Sequence, residues 1–132
     1  MSGIAIRHYE DIEPTLFLGR ESRRIITPER DGSTKVSIHR IHRYAGLSNH
    51  IKYPANDEIL YVLEGEGFIL EDEKRTAIRP GSCVFIPTGE TYRIENIVSL
   101  IILAVLAPAR TREEWKGRPD LVQLEPPCET NS

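Results

Sequence analysis

The sequence predicts an all-β protein that folds as a closed barrel or a jelly-roll sandwich, and three observations support this. Short runs rich in Val, Ile, Tyr and Thr recur along the chain, and each ends at Gly, Pro, Asn or Asp. No segment carries the long apolar period of 3.6 residues that a helical protein needs. The chain of 132 residues is long enough for one compact domain. Because closing a sheet removes its exposed edges, many short strands in one domain favour a barrel.

Eight or nine strands follow one another along the chain. In order, the runs are "RRIITPE", "TKVSIHRIHRY", "HIKYP", "ILYVL", "FIL", "RTAI", "SCVFI", "TYRIEN" and "VSLIILAVL", separated by turns such as "RDGS", "ANDE", "EGEG", "EDEK" and "PTGE". From "APARTREEWKGRPD" onward the pattern changes to a helical turn and a polar tail that contains proline. We therefore assign residues 1–107 to the barrel, with a short N-terminal arm, and residues 108–132 to an irregular C-terminal extension.

The composition excludes several classes of partner. The 17 basic and 20 acidic residues give a net charge of −3, and the two signs are interspersed, so neither a nucleic-acid groove nor a basic membrane face is predicted. Two cysteines make no disulfide framework and suit a reducing cytosol. No apolar stretch approaches the roughly 20 residues of a membrane span, and "MSGIAIRHYEDIE" lacks the apolar centre of a signal peptide. We expect a cytoplasmic protein whose partner is a small molecule.

Alternation along the strands predicts which side chains line the interior. We assign the even-numbered faces of three strands to the interior, and a slip of one residue would reverse every assignment. The predicted inward residues are Val36, Ile38, Arg40, His42 and Tyr44 in "VSIHRIHRY", His50 and Lys52 in "HIKYP", and Tyr92, Ile94 and Asn96 in "TYRIEN".

Residues 46–96 resemble the cupin superfamily, specifically its small single-domain members, through two spaced motifs. The first motif runs glycine, five residues, His-x-His, three or four residues, Glu, six residues and glycine. The second runs glycine, five residues, Pro-x-Gly, two residues, His, three residues and Asn. The matching positions are Gly46, Lys52, Pro54, Glu58 and Gly65 in the first motif, and Gly81, Pro87, Gly89, Tyr92 and Asn96 in the second. The resemblance implies the cupin-type double-stranded β-helix. It also implies a homodimer, in which the strand with Arg23 and Arg24 could pair across the interface.

The positions that the resemblance assigns to metal ligands carry unsuitable side chains. Cupin metal sites use three His and one Glu around iron, manganese, nickel or zinc. Here Lys52, Pro54 and Tyr92 stand in the three His positions, and Glu58 alone is retained. We therefore predict no cofactor. The alternative is a divalent metal (Fe, Mn, Ni or Zn) held by His50, Glu58 and His42, a two-His, one-carboxylate set of the kind that binds non-haem iron.

The resemblance and these residues together predict a small-molecule enzyme with acid and base chemistry in the barrel cavity. The expected reaction is that of an isomerase, a dehydratase or lyase, or a cyclase, on a small oxygenated metabolite. Glu58 or His50 would remove a proton next to a carbonyl, and Lys52 and Tyr92 would stabilise the developing oxyanion. The predicted substrate-binding residues are Arg40, His42 and Tyr44.

Other interpretations remain open from the sequence. One is a metal-dependent, oxygenase-type cupin that uses His50 and Glu58, and another is a cupin that binds a small molecule without catalysis. A Lys52–Glu58 ion pair could also fill a vestigial site, with Tyr92 as an aromatic plug over the core.

Overall fold

A computed structural model describes residues 3–127 and shows an all-β protein built from two antiparallel sheets. The predicted jelly-roll architecture is confirmed. The strands are β1 (Thr15–Phe17), β2 (Arg20–Ile26), β3 (Ser37–Arg43), β4 (Gly46–Leu47), β5 (Ile51–Lys52), β6 (Asp57–Glu64), β7 (Gly67–Glu71), β8 (Lys74–Ile78), β9 (Cys83–Ile86), β10 (Thr91–Asn96), β11 (Leu100–Ala107) and β12 (Leu121–Gln123). Two short helices, α1 (Pro28–Asp31) and α2 (Arg112–Lys116), and a 3-10 turn (Tyr9–Asp11) complete the described elements.

The larger sheet has seven strands in the order β12-β1-β2-β3-β11-β6-β9, and the smaller sheet has the order β4-β10-β7-β8, with β5 pairing with β10. Strand β2 has a neighbour on both sides, β1 and β3. Strand β3 pairs along the length of β2, but β1 pairs only with residues 20–22, so within residues 3–127 the segment with Arg23 and Arg24 has no backbone partner on that side. Pairing of this strand with a second chain, and a homodimer in general, stay predictions.

The core lies between the two sheets and follows from alternation in the long apolar strand β11. Leu100, Ile102, Ala104 and Leu106 are fully buried, whereas the residues between them are half-buried. Burying a Leu or Ile side chain contributes roughly 1.5–3 kcal/mol, so one face of β11 is a large part of the driving force for closing the barrel. Strands β6 and β10 add Leu60, Val62 and Ile94 to the same core.

The turn between β6 and β7 requires glycine for two different reasons. Gly65 has a φ of +84°, and a Cβ there would lie 2.1 Å from the Ser99 carbonyl oxygen. Gly67 has no positive φ, but a Cβ there would lie 2.7 Å from the Glu95 carbonyl oxygen. The "EGEG" turn therefore lets neighbouring backbone segments approach more closely than any side chain would allow.

The C-terminal extension is more ordered than the predicted irregular tail. Thr111 and Glu114 form a capping box that begins α2, and β12 pairs with β1 at the edge of the larger sheet. Trp115 is 2% exposed and its ring contacts Phe17 and Tyr53 edge-on. The extension therefore packs on the barrel through β12 and Trp115, and residues 128–132 lie outside the described range.

No helix within residues 3–127 is long and apolar enough to cross a membrane. The cytoplasmic location stays a prediction.

Candidate functional site

Strand β3 presents the opposite face to the interior from the one predicted. Its inward residues are Ser37, His39, Ile41 and Arg43, which are all buried. The predicted inward residues Arg40 and His42 are half-buried on the other face, where the Arg40 guanidinium lies 4.0 Å from the centre of the Tyr9 ring. Tyr44 is half-exposed and lies at the rim of the barrel. The reversal arises because both faces of "SIHRIHR" carry polar side chains, so apolar alternation cannot set the register.

Strand β5 is also reversed. Ile51 and Tyr53 are buried in the core, whereas His50 and Lys52 are exposed. The predicted inward orientation of His50 and Lys52 is therefore wrong. Apolar Ile51 and Tyr53 alternate with polar His50 and Lys52, so the residue pattern of "HIKYP" alone pointed to the observed face.

Glu58 and Tyr92 lie inside the barrel, as predicted, and they are directly bonded. Their exposed fractions are 2% and 4%, and the Tyr92 hydroxyl donates a hydrogen bond of 2.5 Å to Glu58 Oε1. Glu58 projects inward from β6 of the larger sheet, and Tyr92 projects inward from β10 of the smaller one. The bond therefore links the two sheets across the interior.

Burial dominates the protonation of this pair. It raises the pKa of Glu58 to about 7, although the hydrogen bond from Tyr92 and the charges of Arg43, Arg118 and Arg20 act in the opposite direction. Burial and the adjacent Glu58 also raise the pKa of Tyr92 well above its usual value. Near neutral pH, Glu58 thus exchanges between its two protonation states while Tyr92 keeps its proton.

Beside this pair, the barrel holds a cavity of about 310 Å³ with a basic wall, which we call the arginine cavity. Arg20, Arg43 and Arg118 line it, together with Asp120 and the rim residue Tyr44. Arg43 connects the cavity to the Glu58–Tyr92 pair, since its charge acts on both of those groups. Glu58 and Tyr92 are not among the residues that line the arginine cavity.

His50 and Lys52 line a second depression of about 270 Å³. It shares Asn49, Arg118 and Asp120 with the arginine cavity. The predicted catalytic residues His50 and Lys52 therefore lie next to the arginine cavity, outside the barrel interior that holds Glu58.

A second buried polar cluster lies on the inward face of β2, and its central residue, Arg24, has several partners. The Arg24 guanidinium donates to Glu125 Oε1, to Glu29 Oε1 at 3.2 Å and to the Arg110 carbonyl at 3.0 Å. Glu125 in turn accepts a hydrogen bond from the Thr15 hydroxyl. We call these residues the Arg24 cluster; it fastens the C-terminal extension to the barrel.

His39 lies beside the Arg24 cluster and is uncharged. Its Nδ1 lies 2.7 Å from Ser22 Oγ, and its ring lies 5.3 Å from the Trp115 ring. Burial, followed by the charge of Arg24, lowers the pKa of His39 to about 3. A neutral ring in this position packs on Trp115 without adding to the positive charge around it.

The side chains at the family's metal positions do not fit a metal site. Of the four, Lys52 and Pro54 are exposed, Tyr92 keeps its phenolic proton, and Glu58 alone offers a carboxylate. Within residues 3–127, no group of three or more His, Cys, Asp or Glu side chains is placed to hold a metal ion. The alternative set of His50, Glu58 and His42 is thus not brought together either.

Sequence reasoning missed the arginines, Tyr53 and the contribution of the extension. The sequence prediction missed Arg43 because it assigns the opposite face of β3 to the interior, and it missed Arg20 because the first predicted strand, "RRIITPE", begins after that residue. Arg118 and Asp120 follow a short helix in a segment without apolar periodicity, so no local pattern places them in the barrel.

Comparisons with known proteins agree on the fold. The model of the cupin domain family matches residues 39–106. An uncharacterized protein of Methanocaldococcus jannaschii, MJ1618, is 34% identical over 65 residues; the match covers 48% of this chain and 52% of that protein, so the chain spans about half the length of this curated relative.

Two solved structures extend the likeness over most of the chain. Ectoine synthase from P. lautus is similar with a TM-score of 0.80 and 23% identity, covering 98% of this chain and 96% of its own. The polyketide cyclase RemF from Streptomyces resistomycificus is similar with a TM-score of 0.71 and 18% identity, covering 81% of each chain. Because both identities are below 25%, the similarity shows a shared fold and no more.

Proposed function

The chain belongs to the cupin family, and on that basis we propose that it is an enzyme that moves a proton on a small oxygenated metabolite without a metal. The observation that carries the proposal is the buried Glu58–Tyr92 pair, whose carboxyl has a pKa of about 7. A general base works best when its pKa lies near the working pH. Strongly perturbed groups in a barrel interior are candidates for such a role.

In the proposed reaction, ionised Glu58 takes a proton from a carbon next to a carbonyl group. The C–H bond breaks, the proton joins Glu58, and the electron pair moves onto the carbonyl oxygen as an enolate. Tyr92 holds the other part of the carboxylate in place through its hydrogen bond. The positive charge of Arg43 stabilises the enolate oxygen, which is the role that the sequence prediction had given to Lys52.

The fate of the enolate then sets the reaction class. Return of the proton from Glu58 to another carbon gives an isomerisation. Loss of a β-hydroxyl group, which leaves as water with the proton from Glu58, gives a dehydration. Attack of the enolate carbon on a second carbonyl carbon of the same molecule, whose oxygen takes the proton, gives a cyclisation. The names of two similar structures, ectoine synthase and a polyketide cyclase, support small-molecule synthesis as the general class. His50 and Lys52 are exposed, so in this proposal Glu58 alone is the base and Arg43 takes the role predicted for Lys52.

Exchange of carbon-bound hydrogen for deuterium tests the proposal without knowledge of the final product. The protein is incubated in D₂O with a panel of 2-keto acids, sugars and phenolic metabolites, and loss of the C–H signal next to the carbonyl is followed by NMR. We expect exchange with at least one member, reduced about a hundredfold or more in Glu58→Gln. Glu73→Gln is the matched control, because Glu73 is an exposed carboxylate in a turn; it should exchange at the wild-type rate.

The pH profile identifies the base. Exchange should rise with pH and level off above about pH 7, where Glu58 is ionised. In Tyr92→Phe the midpoint should move upward, because the lost hydrogen bond is one of the interactions that lower the pKa of Glu58. Saturable binding of a panel member with no exchange would refute the enzyme and favour a cupin that binds a small molecule without catalysis.

A further inference from the structure

The arginine cavity has the size and enclosure of a site for a small molecule. Its volume of about 310 Å³ lies at the lower end of the roughly 300–1,000 Å³ that ligand pockets span. Its lining comes from the adjoining ends of β2 and β3, from residues 44–49, and from Arg118 and Asp120 of the C-terminal extension. Because the arginines of β2 and β3 project from paired strands within the larger sheet, their backbone positions are fixed before any ligand arrives.

The charges on this wall are not balanced. Arg20 donates to Asp120 Oδ2, and Arg118 Nε lies 3.6 Å from Asp120 Oδ1. One carboxylate thus serves two guanidinium groups, and a third guanidinium, that of Arg43, is adjacent. The lining therefore carries three positive charges against one negative charge.

Arg43 has no partner among residues 3–127. Its side chain makes no ion pair there, it donates no hydrogen bond, and its buried Nε is unsatisfied, although the residue is only 7% exposed. Glu58 acts on it electrostatically but lies beyond ion-pair distance and is bonded to Tyr92. Burial lowers the pKa of Arg43 to about 10, so the side chain is still charged at neutral pH. A largely buried guanidinium that makes no hydrogen bond within residues 3–127 has donors available for an anion.

The charge of Arg20 adds to the unfavourable surroundings of Arg43. In the pairing of β2 with β3, Arg20 lies directly opposite Arg43, and its charge is the second largest cause of the lowered pKa of Arg43. Like charges at directly opposed positions of a sheet repel each other. An anion between the two guanidinium groups would replace this repulsion with two attractions.

We propose that the arginine cavity binds the carboxylate or phosphate group of a small anionic molecule between Arg43 and Arg20, with Arg118 closing the site. This deepens the proposed function, on which it rests, by giving its substrate class as anionic. Guanidinium groups bind both anions through paired N–H donors, so the geometry supports the shared chemistry of the two. Arg43 also acts electrostatically on Glu58 and Tyr92, which links the anion site to the proposed base.

Calorimetric titration tests the inference with three probes: succinate, its uncharged analogue succinamide, and inorganic phosphate. We expect saturable binding of succinate, of phosphate or of both, and none of succinamide. Comparison of succinate with phosphate distinguishes a carboxylate site from a phosphate site. Equal binding of succinamide, or no binding of either anion, would overturn the inference.

Variants then locate the binding. Arg43→Gln should raise the dissociation constant of the anion by about tenfold to a hundredfold, because a hydrogen bond to a charged group is lost. Arg43→Lys keeps the charge but not the paired donors, so its affinity for the anion should lie between those of wild type and Arg43→Gln. Arg79→Gln is the control, because Arg79 is an exposed arginine that does not line the cavity. Should Arg43→Gln fail to fold, Arg118→Gln supplies the same comparison, and wild-type affinity in a folded Arg43 or Arg118 variant would contradict the site.

This experiment is independent of the proposed function because it measures no turnover. Glu58→Gln should bind the anion at least as tightly as wild type, since it removes a negative charge near Arg43. If the anions fail to bind while Glu58→Gln still abolishes deuterium exchange, the anion site alone is refuted. If they bind while Glu58→Gln exchanges normally, the proposed reaction alone is refuted.

Discussion

Arg24 and Arg43 occupy similar places in the barrel and have opposite surroundings. They project inward from neighbouring strands, and both are at least nine-tenths buried. Arg24 has two carboxylates and a carbonyl group as partners, whereas Arg43 has none among residues 3–127. Removing one member of a buried, paired set of charges destabilises the fold, whereas a buried charge without partners is a candidate for a role toward something outside the chain.

The two regions also respond to pH in opposite directions. Beside Arg24, burial keeps His39 neutral, which makes the folded state sensitive to acid. Beside Arg43, burial favours the protonated form of Glu58, so the folded state loses stability as the pH rises toward neutral.

Arg24→Met should lower the free energy of unfolding by about 3–5 kcal/mol, because it leaves the carboxylate of Glu125 buried without its ion-pair partner. Urea denaturation followed by the fluorescence of Trp115, the single tryptophan, measures this change. The double variant Arg24→Met with Glu125→Met should recover much of the loss. A change within about 0.5 kcal/mol in the single variant would mean that the Arg24 cluster does not fasten the extension.

Acidification from pH 6.5 to 4 should cost on the order of 3 kcal/mol through His39 alone. Its pKa is about 3 in the folded chain and 6.5 as its ordinary value, so the unfolded chain binds the extra proton throughout this range. The stabilisation is complete above pH 6.5 and is lost as the pH falls toward 3. His39→Gln, measured by denaturation at each pH, should have a flatter profile than wild type; parallel profiles would show that His39 is not held neutral.

A rise from pH 4.5 to 7 should cost on the order of 3 kcal/mol through Glu58. Its pKa of about 7 in the folded chain exceeds its ordinary value of 4.5, so the folded chain holds a proton that the unfolded chain releases. The stabilisation is complete below pH 4.5 and is lost as the pH rises through 7. Subtracting the profile of Glu58→Gln from that of wild type isolates this effect, and a difference with the opposite slope would mean that Glu58 is ionised and paired in the folded state.

Arg43→Met should raise the free energy of unfolding by about 1 kcal/mol in the absence of ligand, because it removes a buried charge that has no partner. Arg79→Met, at an exposed position, should stay within about 0.5 kcal/mol of wild type. The same denaturation assay applies to both variants. If Arg43→Met instead lowers the free energy of unfolding by several kcal/mol, Arg43 stabilises the fold as Arg24 does, and the two regions do not differ in this respect.

The sequence was sufficient to predict the fold and one half of the candidate site. Turn residues such as Gly65, the apolar alternation of β11 and the two spaced motifs each have local causes, so the β-rich architecture and the burial of Glu58 and Tyr92 could be predicted. In "TYRIEN" the even face is the inward one, as expected, because Ile94 fixes it.

The basic half of the site could not be predicted, because its causes are not local. Arg43 is inward only because its whole strand is, and that strand carries polar residues on both faces. Arg20 finds its counterion in Asp120, a hundred positions away along the chain. The resemblance also drew attention to Lys52, since it stands where a ligand is expected, although its exposed side chain does not share the interior with Glu58.

The position of Asp120 has a consequence for biosynthesis. Translation produces all the strands that carry Arg20, Arg43, Glu58 and Tyr92 before it reaches the segment that carries Arg118 and Asp120. The counterion of Arg20 therefore belongs to the part of the cavity lining that the ribosome synthesises last.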